Sequence, residues 1–251
     1  MSKRPKIRAV IADIYHTLFE VGPPPPDAAE LWEALWEDKL ADPARLTLGE
    51  FAVACQGIIG REHGTAIRAG VQHPEIYWPA VAMEALPELA RLAEPDRDEF
   101  LYQHARLQRT VRLMPGVAET LPDLARRKVL LGLVSNCQPY TLRELDAALD
   151  DAHLSRALFV PELCFFSFAA GFSKPNPHAF RFLSARLQAC GVSTAETVVV
   201  GDRVGNDLEP ARAQGFQTWL LRHGPVLEDH GEGEGAGDWG QLRRHLAAVI
   251  G

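Results

Sequence analysis

Short apolar stretches alternate with helix-like segments through the second half of this chain. Residues 128–134, 163–167, 197–200 and 217–221 are almost continuously apolar, and residues 7–11 form a similar stretch near the N-terminus. Apolar residues at helical spacing lie between the later stretches. Strands that alternate with helices pair as a parallel sheet with helices on both faces, and strands buried on both faces are apolar throughout. The sequence therefore predicts an α/β fold with a Rossmann-like parallel sheet.

A long segment with a different pattern follows the first apolar stretch. Residues 21–112 are predicted to be nearly all helix and loop, with several prolines. Asp27 is a candidate N-cap for the first helix of this segment, and Pro74 suits the first turn of its third helix. We therefore expect a core made of residues 1–20 and 113–251, with residues 21–112 inserted as an α-helical cap.

The overall charge and cysteine usage exclude several classes of protein. The formal net charge of −7 argues against a general nucleic-acid binder, which is usually basic. The four cysteines are scattered without a CxxC pair, so a zinc site is not expected and reduced thiols are. Arg8 and Asp13 interrupt the apolar stretch behind the basic N-terminus, which does not fit a signal peptide. We expect a cytoplasmic monomer or homodimer that binds neither nucleic acid nor membrane and acts on a small anionic substrate.

A glycine-rich stretch, residues 231–237, is the one low-complexity segment of the chain. Two glutamates interrupt its glycines and no lysine follows, so it does not fit a phosphate-binding loop. We predict a mobile acidic linker here, followed by a final helix over residues 242–250.

The predicted strands end in polar residues whose chemistry is complementary. The carboxyl ends of parallel strands are where open α/β sheets bind ligands. Side chains at these ends are therefore expected to lie close together. They are Asp13, Ser135 with Asn136, Lys174 on a loop, and Asp202 with Asp207.

These side chains could together support attack by a carboxylate on an anionic group. Asp13 and Asp202 can hold a hard divalent cation such as Mg²⁺, which prefers oxygen ligands. Ser135 can donate a hydrogen bond to an anionic oxygen. Lys174 can balance the negative charge and keep Asp13 ionised, and an ionised carboxylate so placed is a covalent nucleophile.

The same residues resemble the four motifs of the haloacid dehalogenase-like hydrolases, in the same order. Residues 13–17 resemble the first motif, and residues 135–136 the second. Residues 166–177, which contain Lys174 and Pro175, resemble the third, and residues 201–207 the fourth. Residues 114–116 resemble the return to the core after a helical cap. The resemblance covers the whole predicted core.

The resemblance implies a role for each motif residue. Asp13 would be the nucleophile, Lys174 the charge-balancing ammonium, and Ser135 the hydroxyl that binds the transferring group. Thr17, Asn136 and Tyr15 would contact the substrate. Mg²⁺ would be the cofactor, and its ligands would be Asp13, the backbone carbonyl of Tyr15, Asp202, and Asp207 at or just behind the metal.

Tyr15 departs from the pattern of the family's phosphatases, which usually carry there a second Asp that protonates the leaving group. The 2-haloacid dehalogenases of the family have Tyr at this position, because a halide needs no proton. Other residues argue against a dehalogenase. Those enzymes need no metal, usually have Ser in place of Asp202, and have Tyr where this chain has Phe180. Their halide-binding Arg has only candidates by location here, namely Arg45, Arg61 and Arg68.

His16 is a further departure, since the family commonly has Gly at this position.

Three hypotheses remain open. The favoured one is an Mg²⁺-dependent phosphatase that hydrolyses a small phosphate ester through an aspartyl-phosphate on Asp13. The alternatives are a 2-haloacid dehalogenase-type hydrolase and a binding or regulatory protein that keeps the fold but has lost turnover.

Overall fold

A parallel sheet lies at the centre of the protein. The computed structural model describes residues 6–222 and 235–250. In this part of the chain six strands pair side by side in the order β5-β4-β1-β6-β7-β8, every pair parallel. A separate antiparallel ribbon joins β2 and β3. The strands are β1 Ala9–Ala12, β2 Phe19–Gly22, β3 Thr110–Leu113, β4 Leu130–Ser135, β5 Cys164–Phe166, β6 Thr197–Gly201, β7 Gln217–Leu221 and β8 Gly235–Gly237.

Helices cover both faces of the sheet and form the segment between β2 and β3. They are α1 Ala28–Leu40, α2 Leu48–Arg68, α3 Trp78–Ala85, α4 Glu94–Gln108, α5 Val117–Arg126, α6 Pro139–Asp151, α7 Ser167–Ala170, α8 Pro177–Ala189, α9 Glu209–Arg212 and α10 Trp239–Val249. None of the helices in the described residues is both long enough and apolar enough to cross a membrane.

The first strand shows why the strands of this sheet are apolar throughout. All four residues of β1 are buried, and successive side chains of a strand point to opposite faces. Val10 and Ala12 pack in one cluster with residues of α5, α6 and α10. Ala9 and Ile11 pack in another cluster with residues of α8 and α9. The predicted parallel sheet with helices on both faces is confirmed.

The helices between β2 and β3 bury a hydrophobic core of their own. An aromatic cluster fills its centre, where Trp32 stacks on Phe51 at a centroid distance of 5.1 Å. A capping box between Thr47 and Glu50 begins α2. The left-handed conformation of Ala41 ends α1, two residues before Pro43.

Residues 21–112 are nearly all helix and loop, as predicted, but a short strand that the sequence did not indicate stands at each end of the segment. Phe19 pairs with Leu113, and Gly22 pairs with Thr110, in the ribbon of β2 and β3. Each strand is only four residues long, and its partner lies about ninety residues away in the sequence. A local hydrophobic pattern therefore does not reveal the pairing.

One local prediction is wrong in placement and another holds in part. Pro74 does not begin the third helix but forms an isolated antiparallel bridge with Phe172, and Pro79 occupies the first turn of α3 instead. Asp27 is at the N-cap position of α1, as predicted, but its side chain makes no capping hydrogen bond.

The predicted acidic linker also needs correction. Of residues 231–237, the first four lie outside the described residues. Gly235–Gly237 forms the edge strand β8, parallel to β7. An added Cβ on Gly235 would lie 2.2 Å from the ring of Trp219, so the close approach of this strand requires glycine. The final helix starts at Trp239, earlier than predicted, because Asp238 and Gln241 form a capping box there.

Candidate active site

The polar residues predicted at the strand ends come together at the carboxyl edge of the sheet. Asp13 follows β1 directly, and its backbone N–H donates to Val200 of the neighbouring strand β6 at 3.0 Å. Ser135 ends β4 on the other side of β1, and Asp202 follows β6. Because these strands are parallel neighbours, the three side chains are delivered to one edge.

Lys174 joins two carboxylates in the interior of this site. Its ammonium donates to Asp13 Oδ1 at 2.8 Å and to Asp207 Oδ1 at 2.6 Å. A third hydrogen bond reaches the backbone oxygen of Val134 at 2.7 Å, so all three protons of the ammonium are used. Burial by itself lowers the pKa of Lys174, but the two carboxylates outweigh it and raise the pKa above its usual value. Lys174 is therefore positively charged and forms an ion pair with Asp13.

Asn136 fixes the backbone of the lysine. Its Oδ1 accepts from the backbone N–H of Lys174 at 2.7 Å, and its Nδ2 donates to the backbone oxygen of the same residue at 2.9 Å. Both polar atoms of the predicted substrate-binding amide are thus engaged in positioning Lys174. Asn136 also lines the cavity at Asp13.

Asp207 lines the cavity at Asp13, but hydrogen bonds hold both of its carboxylate oxygens. Its second oxygen accepts from the backbone N–H of Arg203 at 3.0 Å, so both carboxylate oxygens have partners. Burial raises the pKa of Asp207, and the adjacent Lys174 ammonium opposes that rise. An added Cβ on Gly201 would lie 2.5 Å from the Asp207 side chain. Glycine at the end of β6 therefore makes room for this carboxylate.

Asp202 has an oxygen available for a cation. Its Oδ1 is buried and has no hydrogen-bond partner among the described residues. Asp13, Asp202 and Asp207 each offer a carboxylate oxygen, and these oxygens lie within 4.8 Å of one another. An oxygen-only set with one unpartnered buried oxygen fits a hard divalent cation such as Mg²⁺. Asp13 and Asp202 are its best-placed side-chain ligands, because both oxygens of Asp207 are already bonded.

Two hydroxyl groups predicted for the site also lack partners. Ser135 Oγ and Thr17 Oγ1 are buried, and neither has a hydrogen-bond partner in the part of the chain that the structure describes. A buried hydroxyl without a partner is unfavourable unless a ligand completes it. Neither residue lines the cavity at Asp13 in this structure.

A cavity of about 90 Å³ opens at Asp13. Besides predicted site residues, Arg203 and Asn206 line it. Both lie inside the fourth motif, between Asp202 and Asp207, but no signal in the sequence indicated a role for them. The volume equals that of about three water molecules, so only a compact group can enter.

The Tyr15 side chain is held by residues outside the catalytic cluster. Its hydroxyl donates to Glu144 at 2.5 Å, lies 2.8 Å from Thr141 Oγ1, and accepts from Arg109 Nη2 at 2.6 Å. Arg109 also donates to Glu144 at 3.1 Å, and its guanidinium lies 4.6 Å from the centre of the Tyr15 ring.

Burial is the main cause that raises the pKa of Tyr15 above its usual value, and the Glu144 carboxylate adds to it. The phenol therefore stays protonated and tied to α6 and the end of α4. Arg109 is a functional residue that the sequence did not indicate, because its partners are distant in the chain.

The arginines that were candidates for halide binding lie away from Asp13. Arg45 pairs with Glu88, and Arg61 pairs with Glu84, on exposed parts of the cap helices. Arg68 donates to Thr65 on its own helix. None of these three arginines lines the cavity at Asp13. Phe180 packs against Phe216 in the core.

The helical segment contacts the loop that carries the lysine. The backbone N–H of Ser173 donates to the backbone oxygen of His73 at 2.8 Å. Asn176 Nδ2 donates to the backbone oxygen of Gln72 at 3.0 Å. Two hydrogen bonds thus tie the helical segment to the lysine-bearing loop.

His16 adopts a left-handed backbone conformation, with φ of 58°. Glycine takes this conformation without strain, whereas an L side chain costs about 1–2 kcal/mol there. His16 therefore occupies a backbone conformation that favours glycine, the residue that the resemblance leads us to expect here.

Comparisons with known proteins agree with this geometry. The family model described as "Hydrolase: haloacid dehalogenase-like hydrolase" matches residues 7–215. A glyceraldehyde 3-phosphate phosphatase of Pyrococcus furiosus is 28% identical over 120 residues, which span 47% of this chain and only 45% of that relative.

Solved structures share the fold. The chain matches a 2-haloacid dehalogenase of Pseudomonas syringae pv. Tomato with a TM-score of 0.62 and 20% identity, covering 96% of this chain and 99% of the other. It matches a predicted phosphoglycolate phosphatase of Haemophilus somnus with a TM-score of 0.51 and 20% identity, covering 95% and 97%. At this identity the likeness is one of fold alone.

Proposed function

Because the chain belongs to the haloacid dehalogenase-like hydrolase family, we propose that it is an Mg²⁺-dependent phosphatase that hydrolyses a small phosphate ester through Asp13. The observation that carries this proposal is the balance of charge at the site. Three carboxylates, Asp13, Asp202 and Asp207, converge there, and Lys174 pairs with only two of them. A divalent cation at Asp202 would offset the remaining charge before an anionic substrate enters.

The proposed reaction has two steps on one carboxylate. An oxygen of Asp13 attacks phosphorus, the bond from phosphorus to the ester oxygen breaks, and the alcohol leaves after taking a proton from solvent. Water then cleaves the aspartyl-phosphate, which releases phosphate and restores the carboxylate. In this proposal Ser135 and Thr17 would bind the oxygens of the phosphoryl group, and Lys174 would balance the charge at Asp13. Bound Mg²⁺ would stabilise negative charge on that group.

Tyr15 limits the substrates that this site can process quickly. Its phenol is protonated but bonded to Glu144 and Arg109, so it is not available to protonate the leaving group. Loss of a general acid typically lowers a rate by about 10²–10⁴. We therefore expect aryl phosphates, whose leaving groups need little protonation, to be hydrolysed much faster than alkyl phosphates.

Tyr15 is also the observation that favours the second candidate, a 2-haloacid dehalogenase. A halide leaves without a proton, so Tyr15 would be no handicap. Asp202 opposes this candidate, because a further carboxylate without a cation would repel an anionic haloacid.

Parallel assays separate the candidates. Phosphate release from p-nitrophenyl phosphate and halide release from 2-chloropropionate are measured with Mg²⁺ and with EDTA, using Asp13→Asn as the inactive control. The proposal predicts phosphate release that requires Mg²⁺ and no halide release. Halide release in EDTA would establish the dehalogenase instead. If both assays are blank while phosphate and Mg²⁺ raise the melting temperature, the protein binds without turnover.

A further inference from the structure

A second cavity, here called the cap cavity, lies between α2, α3 and α4 and the start of α6. Its volume is about 210 Å³, and its walls include Cys55, Trp78, His104, Gln108, Arg109 and Tyr140. Arg109 on its wall donates to Tyr15, which lines the cavity at Asp13, so one hydrogen bond links the walls of the two cavities. The cap cavity is therefore the candidate site for the other end of a substrate whose phosphoryl group is at Asp13.

Three residues on this wall each have a buried nitrogen without a hydrogen-bond partner among the described residues. These nitrogens are Trp78 Nε1, His104 Nδ1 and Arg109 Nε. Unpartnered buried polar atoms are rare in folded proteins, and three on the wall of one cavity are unusual. A ligand in the cap cavity would remove the penalty of leaving them unpaired.

All three nitrogens are hydrogen-bond donors. The indole and guanidinium nitrogens can only donate. Gln108 Nε2 lies 3.2 Å from His104 Nε2, and an amide nitrogen donates, so Nε2 accepts and the ring proton is on Nδ1. Burial lowers the pKa of His104 to about 4, so the ring is neutral at pH 7. The three unpartnered nitrogens on this wall therefore all need a hydrogen-bond acceptor.

The chemistry of the wall identifies the complementary group. A carboxylate only accepts hydrogen bonds, can receive several of them, and is planar like the stacked rings of Trp78 and His104, which lie 5.5 Å apart. Arg109 contributes a positive charge on this side, whereas its partner Glu144 does not line the cap cavity. Hydrogen bonds between charged groups are the strongest of those available.

We propose that the cap cavity binds a carboxylate on the leaving-group end of the substrate, so that the substrate class is carboxylate-bearing phosphate esters. This inference rests on the proposed phosphatase for the phosphoryl end, but binding of the carboxylate can be measured without turnover. The cavity volume, equal to about seven water molecules, limits that end to a small molecule.

Calorimetric titration with D-glycerate and glycerol tests the proposal on the complete protein. The two compounds share a carbon skeleton and differ in the carboxylate. Saturating inorganic phosphate keeps them out of the site at Asp13. We expect D-glycerate to bind and glycerol not to bind. Equal binding of the two, or no binding of D-glycerate, would overturn the proposal.

Matched tryptophan variants test whether D-glycerate binds in the cap cavity. Trp78→Phe removes the N–H group but keeps a ring, and we expect it to weaken D-glycerate binding about tenfold. Trp36→Phe removes another unpartnered buried indole N–H, outside the cap cavity, and should leave binding within about twofold. Equal effects of the two changes would contradict the assignment.

A parallel assay with p-nitrophenyl phosphate separates this inference from the proposed function. D-glycerate binding without any hydrolysis would overturn the phosphatase and keep the carboxylate site. Hydrolysis without D-glycerate binding would keep the phosphatase and overturn the carboxylate site.

Discussion

Removing the hydroxyl of Tyr15 should lower stability while leaving catalysis almost unchanged. In Tyr15→Phe the hydrogen bonds to Glu144 and Arg109 are lost, but these two residues remain paired with each other at 3.1 Å. No buried charge loses its partner, so the free energy of unfolding falls only by the contribution of a hydrogen bond to charged groups, about 2 kcal/mol. For a chain of this size that loss lowers the melting temperature by about 4–8 °C.

The same variant should hydrolyse both p-nitrophenyl phosphate and an alkyl phosphate at rates within about threefold of the original. If the phenol were instead the general acid, the rate on the alkyl phosphate would fall by about 10²–10⁴. A structural phenol therefore predicts a lower melting temperature with an almost unchanged initial rate, whereas a catalytic phenol predicts a much lower initial rate. Tyr102→Phe is the matched control, because Arg143 covers its ring at 4.0 Å in a similar way, and we expect it to change stability by less than about 0.5 kcal/mol. A hundredfold lower rate with an unchanged melting temperature would refute our account of Tyr15.

Three other changes probe the site and its surroundings. Lys174→Met should lower the rate of p-nitrophenyl phosphate hydrolysis by about 10²–10³. Because it leaves buried carboxylates without their cation, it should also lower the free energy of unfolding, measured by chemical denaturation, by about 3–5 kcal/mol. Gly201→Ala should lower the rate about 10²-fold, because the new Cβ would lie 2.5 Å from the Asp207 side chain and displace it. The pKa of His104, about 4 in the fold against an ordinary 6.5, means that the unfolded chain binds more protons between these values. Stability should therefore fall by about 3 kcal/mol as the pH drops from 6.5 to 4, and His104→Phe should remove that part of the pH dependence in denaturation curves.

The arrangement of the catalytic edge could be predicted because each of its parts is local in sequence. Asp13 directly follows one buried strand and Asp202 follows another, and parallel pairing alone brings such residues together. The alternation of Val10 and Ile11 between two hydrophobic layers is likewise a property of a single strand. The fold class followed from these short stretches.

The surroundings of Tyr15 could not be predicted, because folding brings them together from distant parts of the chain. Arg109 and Glu144 lie 94 and 129 residues from Tyr15 in the sequence. From the sequence, Tyr15→Asp should restore a missing acid and raise the rate on alkyl phosphates. In the fold, an Asp at this position is too short to reach Glu144 and Arg109, so the change removes the phenol that bonds both of them. We therefore expect Tyr15→Asp to destabilise the protein, a cost that the sequence does not indicate.

The role of Asn136 shows a similar limit. A polar residue after a strand indicates a site, but it does not tell whether the side chain meets the substrate or holds a neighbour. Only the structure shows that both amide atoms of Asn136 bond the backbone of Lys174.

Mass spectrometry of the protein quenched during turnover of p-nitrophenyl phosphate tests the central claim most directly. With Mg²⁺ present, the account predicts a phosphoryl group on the peptide that contains Asp13, and none when EDTA replaces Mg²⁺ or in Asp13→Asn. Hydrolysis that continues at the same rate in EDTA, or that proceeds in Asp13→Asn, would contradict the account.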